Sequence, residues 1–321
     1  MGILYQATDP MIWFCWLVVL VVVMALNEFA RQKLWCSVLL FIVIPIIFSI
    51  WILPVTSPMG NKYGTGNWFN WVKLYSSLAG VLGFMALRYM TWTDKKTGKK
   101  VRLADKTWAL YFPPLILSIN IAEAVIRDFQ IYSLHAWEGT ITQHLWVLSG
   151  PWNIMNGIAG ILNIITLCGW MGIFISRDEQ KDMIWPDMLW FWIIAYDLWN
   201  FAYTYNCMTD HSAWTGLLLL CACTLATFFI KPGAWLQHRA QTLALYCMWG
   251  LGAPWWRDEV ALIPVTRNPH AFFIISLIAL LFNIGVFVYQ VKTIRAKKLN
   301  PLKDELYKDT KQYQKVLADN K

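Results

Sequence analysis

The sequence predicts an all-α protein, a polytopic transmembrane helix bundle of about nine spans, with the N-terminus outside and the C-terminus cytoplasmic. Three observations predict it. Only 14% of the 321 residues are charged and 58% are hydrophobic, against about 25% charged in soluble domains. The mean hydropathy is +0.44. The apolar residues fall in runs of about 20, long enough to cross a hydrocarbon core at about 1.5 Å per helical residue. The basic residues gather in a few loops and one tail, the pattern that orients membrane proteins.

Spans are predicted at 11–29, 35–55, 68–91, 107–127, 151–175, 186–206, 212–231, 235–256 and 270–291. The first has no basic stretch ahead of it, and Glu28 stands where a cleavage site needs a small residue. It is therefore read as a retained helix and not as a signal peptide. Pro45 is expected to bend the second span. Gly80 with Gly83, and Gly157 with Gly160, permit close helix contact. Pro113 and Pro114 remove two amide donors from the fourth run and are expected to break it, so that the freed carbonyls face protein or water. Pro151 and Pro186 suit the first turn of a helix. The eighth run is the weakest, opening with Gln237, His238 and Arg239.

With the N-terminus outside, all but five of the 27 Lys and Arg residues fall on the cytoplasmic side. The five are Lys62, Lys73, Arg127, Arg257 and Arg267. That division needs an odd number of spans and so retains the eighth. Many of the 21 tryptophans stand near span ends, as an interfacial belt requires. Residues 1–291 form the bundle domain, and residues 292–321 a cytoplasmic basic amphipathic tail. Leu302, Leu306, Tyr313 and Leu317 can share one face of that tail. The tail and the polybasic loop 94–106 are expected to rest on anionic lipid.

Several chemistries are excluded. The net charge of +8 is interleaved with the spans, so nucleic acid is not an expected partner. The seven cysteines contain no CxxC and lie mostly in apolar runs, where they serve as small packing residues. The five histidines show no metal-ligand spacing, so no metal or other cofactor is expected. No GxSxG or Walker-type loop is present.

What remains is charge inside the membrane, where an ionisable residue costs roughly 2.5–3.5 kcal/mol and normally turns inward. Asn70, Lys73 and Ser77 form one helical stripe. Asn120, Glu123 and Arg127 form another, Asn153, Asn156, Gly160 and Asn163 a third, and Asp197, Asn200 and Thr204 with Tyr203 a fourth. The expected site is a polar vestibule in the outer half of the bundle. It would be formed by Asn70, Lys73, Asn120, Glu123, Arg127, Asn153, Asn156, Asp197, Asn200 and Tyr203. Trp71 and Trp199 would stand beside it, with His211, Arg257, Asp258 and Glu259 near its mouth and an apolar cytoplasmic half below. A plainer arrangement, in which Glu123 pairs with Arg127 and Lys73 with Asp197, would only hold the helices together.

Three functions fit these residues. A cell-membrane permease would bind a small polar, zwitterionic or amphipathic metabolite in the vestibule. An intramembrane enzyme would act on a lipid or polyprenyl substrate in the outer leaflet. A sensor or assembly subunit would use the tail and the polybasic loop as output surfaces. The sequence does not choose between enzyme and non-enzyme, and it does not fix the oligomeric state.

Overall fold

The structure, a computed structural model, describes residues 2–6, 8–56, 68–96, 98–142, 145–252 and 262–321, with backbone alone at 56, 68–72 and 251–252. Each predicted run contains a helix. These are α1 (Pro10–Gln32), α2 (Leu34–Val55), α3 (Trp68–Tyr89), α4 (Phe112–Ser133), α5 (Pro151–Ile165), α6 (Trp190–Cys207), α7 (Ala213–Phe229), α8 (Trp235–Gly252) and α9 (Pro269–Lys297). A shorter α10 (Lys311–Asn320) closes the chain. Among the described residues four helices are long and apolar enough to cross a membrane: α1, α2, α9 and the stretch Thr107–Ser133 that contains α4. Antiparallel hairpins lie in three connections. They are β1 (Thr91–Thr93) with β2 (Lys100–Arg102), β3 (Thr140–Thr142) with β4 (Leu145–Val147), and β5 (Phe174–Ile175) with β6 (Met183–Ile184).

Local chemistry sets the helix ends. Asp9 caps α1 by accepting from the Met11 amide at 2.9 Å, and Asn268 caps α9 by accepting from the His270 amide at 3.0 Å. Both are followed by proline, which is preset for a first turn. In α2, Pro45 lies in a short α turn between two wider π turns, Leu39–Val43 and Phe48–Ile52. A residue without an amide donor thus sits where the helix register is already altered.

Three expectations are corrected. Pro113 and Pro114 do not break α4. They occupy its first turn, after the 3-10 turn Thr107–Tyr111, where the missing amides have no intrahelical partner to lose. The run 151–175 is helical only to Ile165. Thr166 turns its hydroxyl back to the Leu162 carbonyl at 2.8 Å, and Gly169 takes a left-handed φ of 66°. Any side chain there would meet the Asp187 carboxylate, since a Cβ would lie 2.0 Å from Oδ2. The chain then folds through β5 and β6 until α6 begins at Trp190, so Pro186 precedes that helix instead of opening it.

Helix alternation gives the bundle two ends. One, the tail end, gathers the ends of α1, α3, α5, α7 and α9, the β1–β2 and β5–β6 hairpins, and α10. The other holds the N-terminal residues and β3–β4. At the tail end the Asp187 carboxylate accepts from the Leu306 amide at 2.8 Å and the Tyr307 amide at 3.1 Å. Leu306, Tyr307 and Tyr313 are buried against Cys168 and Leu189, with Leu317 beside them, whereas Leu302 is exposed. The apolar face of the tail therefore covers the bundle itself, because Asp187 draws the chain inward before α10 begins.

The middle of the bundle is closely packed. Trp192, Tyr196, Trp199 and Trp235 are buried together, with Tyr196 and Trp235 centroids 4.8 Å apart. Gly160 is where α4, α5 and α6 meet. A Cβ there would lie 2.4 Å from Val125 Cγ2 and 2.6 Å from Trp199 Nε1. Gly160→Ala is expected to destabilise the protein by about 1–3 kcal/mol through overpacking. A lowered unfolding temperature in detergent would show it, with Ile158→Ala, on the exposed face of the same helix, giving a smaller change.

Candidate functional site

Away from the tail end, α4, α5 and α6 converge on one buried carboxylate. Asp128 lies on the face of α4 that also carries Ile121, Ala124, Val125 and Ile131, and it is fully buried. Its Oδ2 accepts from Asn156 Nδ2 at 2.7 Å. Its Oδ1 accepts from Asn153 Nδ2 at 3.2 Å and from the Cys207 thiol at 3.4 Å. The asparagines are three apart in the first turns of α5, so both reach the same neighbour. Asn153 is fixed from its other side, where its Oδ1 accepts the Gly150 amide at 3.1 Å.

The expected site residues gather partly around this carboxylate. Lys73 on α3 pairs with Glu123 on α4 at 2.8 Å, with both side chains a little over a quarter exposed. The alternative pairs, Glu123 with Arg127 and Lys73 with Asp197, are not formed, because Glu123 takes the lysine. Arg127 is half-buried and makes no ion pair among the described residues. Tyr203 lies in the field of Glu123, Asp128 and Arg127 and stacks on the buried Trp199 at 6.3 Å. Asn120 is half-buried one turn before Glu123. The side chains of Asn70 and Trp71, and all of Arg257, Asp258 and Glu259, lie outside the described residues. His211 is buried at the same end of the bundle.

Asp197 and Asn200 belong to a second group, deeper in the bundle. Asp197 Oδ2 accepts from Thr224 Oγ1 at 2.7 Å, and Trp235 Nε1 donates to the same hydroxyl at 3.1 Å. Arg239 acts on Asp197 through its charge without an ion pair among the described residues. Asp197 Oδ1, Asn200 Oδ1 and both amide atoms of Asn163 are buried without a hydrogen-bond partner. The stripe that drew attention to Glu123 and Arg127 passed over their neighbour Asp128. The available signal was an aspartate on the apolar face of α4, between Ala124 and Ile131.

The tail end is not the apolar half that the sequence suggested. Asp182, just before β6, is fully buried. It accepts from Arg31 Nη2 at 2.8 Å, Arg31 Nε at 3.2 Å and Gln237 Nε2 at 2.6 Å, with Arg88 Nη2 at 3.7 Å. Arg88 also donates to the carbonyls of Arg31, Gln180 and Lys181 at 2.8–3.0 Å. Asn27 and His238 hydrogen-bond beside them at 2.8 Å. Burial works to raise the Asp182 pKa. The hydrogen bond and charge of Arg31, the charge of Arg88 and the Gln237 amide together outweigh it and hold the carboxyl below its ordinary value of 3.8.

Among the described residues no group of three or more His, Cys, Asp or Glu side chains could hold a metal ion. The chain matches the family model of DUF5692, a family of unknown function, over residues 6–319, and it belongs to that family. No curated protein and no solved structure matches it.

Asp182→Asn is expected to cost about 3–5 kcal/mol, because it leaves buried arginine charge without its partner. The pH dependence has a definite sign. A depressed carboxyl contributes stability above its ordinary value, and that stability is lost as pH falls through the lower folded value. Unfolding scans should show the wild type losing stability below about pH 4, with this component absent from Asp182→Asn.

Proposed function

We propose that this DUF5692 member is a nine-span permease of the cell membrane. In this reading it binds a small polar, zwitterionic or amphipathic metabolite from the outside, and Asp128 and Asp197 take up a proton or a cationic group. The observation that carries the reading is the setting of Asp128, which is fully buried and hydrogen-bonded by Asn153, Asn156 and Cys207, all neutral donors. A carboxylate kept from water without a counter-charge is costly when ionised, and in a membrane protein such a residue marks an ion or proton pathway. Asp197 is likewise buried on a neutral donor, Thr224, with Oδ1 open, and differs in that the Arg239 charge acts on it.

The remaining groups suit a ligand carrying both signs. Lys73 and Glu123, partly exposed, stand at the mouth with Asn120. Arg127, with its guanidinium unpaired among the described residues, would hold a carboxylate or phosphate. Tyr203 and Trp199 offer stacked ring faces, and Asn200 an open carbonyl. The distribution of Lys and Arg supports a cytoplasmic tail end, and a helix within each of the nine runs supports the span count.

Proteoliposomes containing a pH-sensitive dye test this reading. Addition of a transported zwitterionic solute is expected to move protons in the wild type, and Asp128→Asn is expected to lower that movement at least about tenfold. Ala substitution of Arg127 should weaken solute binding while the proton response at saturating solute persists. Solute flux in Asp128→Asn equal to wild type, with the same pH profile, would overturn the reading.

A further inference from the structure

A second polar site lies at the tail end, on the far side of the Asp182 network. A cleft of about 420 Å³ opens between the end of α3, the β1–β2 hairpin and the segment before β6. Arg88, Tyr89, Thr91, Lys100, Arg102 and Lys181 line it. Four of these six are cations. Asp105 is the one acid in the lining, and its carboxylate is turned to the Arg102 amide at 2.7 Å. Lys100 and Arg102 form no ion pair among the described residues.

Two independent features show that the cleft is built around these charges. Arg88 is buried and heavily bonded through Nε and Nη2, yet its Nη1 has no partner. A guanidinium offers five donors in a rigid fork, and this one is held at fixed position in the wall behind the cleft. Lys181 takes a left-handed φ of 53°, a conformation that costs a non-glycine residue roughly 1–2 kcal/mol. That backbone presents its carbonyl to Arg88 at 3.0 Å, while its ammonium lies over the Tyr89 ring, 5.9 Å from the centroid. The strain therefore places a third cation against the same wall.

We infer that this cleft binds a phosphate group, with Lys100, Arg102 and Lys181 as its cationic ligands and the buried charge of Arg88 behind them. Lys100, Arg102 and Lys181 converge without an ion pair among the described residues and repel one another, and a compact multivalent anion with several acceptor oxygens relieves that repulsion. The phosphate could belong to a lipid headgroup or to a soluble molecule. Trp92 and Trp108, exposed on the same end along with Met90, are the kind of aromatic residues that sit at headgroup depth.

The test uses full-length protein and three probes: inorganic phosphate, nanodiscs of phosphatidylcholine alone, and nanodiscs with added phosphatidic acid. The wild type is expected to gain thermal stability in phosphate over chloride at matched ionic strength, or in phosphatidic acid over phosphatidylcholine alone. The pair Lys100→Gln with Arg102→Gln should leave the unfolding temperature without phosphate unchanged, and Lys181→Gly, tested separately, keeps the backbone conformation and should leave that temperature unchanged or raise it as the left-handed strain is relieved. Each should weaken the response, by about fivefold in affinity per charge removed. A response to phosphatidic acid alone assigns the site to a lipid headgroup, and a response to both probes assigns it to phosphate esters in general. No response to either probe, or variants that respond as the wild type does, would overturn the inference. Neither arm touches Asp128, so failure here is distinct from failure of the permease reading.

Discussion

The rest of the structure depends on the pairing of Asp182 with Arg31 and Arg88. Two arginines at the ends of α1 and α3 are almost wholly removed from water; Arg31 has Glu28 as a second acid, and a carboxylate between the two arginines balances their remaining charge. Asp182 supplies it from a segment distant in sequence, and Gln237 at the start of α8 completes the set. A buried ion pair of this kind adds little net stability, yet it is costly to assemble wrongly. It therefore specifies which helix ends meet. It also explains why the chain between α5 and α6 turns inward as a hairpin instead of extending either helix.

The two ends of the bundle treat buried carboxylates differently. At the tail end Asp182 faces cations, so its charge is fixed and its role is positional. At the other end Asp128 faces two amides and a thiol, neutral groups that bring no counter-charge. The close approach of α4, α5 and α6 at Gly160 holds that carboxylate in a rigid setting.

Parts of this arrangement are legible in the residues alone. Apolar runs of sufficient length announce the helices, and Asp9-Pro10 and Asn268-Pro269 announce two of their starts. The stripes on α4, α5 and α6 point to the polar interior, and Asn153 and Asn156 do share a partner. That partner, Asp128, was hidden because it lies among apolar residues and not in a stripe. Periodicity finds groups that repeat on a face, and a lone carboxylate repeats with nothing. The Asp182 network was hidden for a related reason. Its members come from four segments, each of which by itself reads as an ordinary polar loop or span end.

The sequence by itself determined the mostly helical class, the runs apolar enough to suit a membrane protein, and the clustering of positive charge in a few segments. Those follow from composition and from period, which are properties of neighbouring residues. Only the tertiary structure decided that Lys73 takes Glu123 and that Asp197 takes Thr224. It alone brought Arg88 and Lys181 to one cleft and folded the tail back over Cys168 and Leu189. A charged group chooses its partner by distance and geometry in three dimensions, and helical spacing restricts that choice only within a single helix.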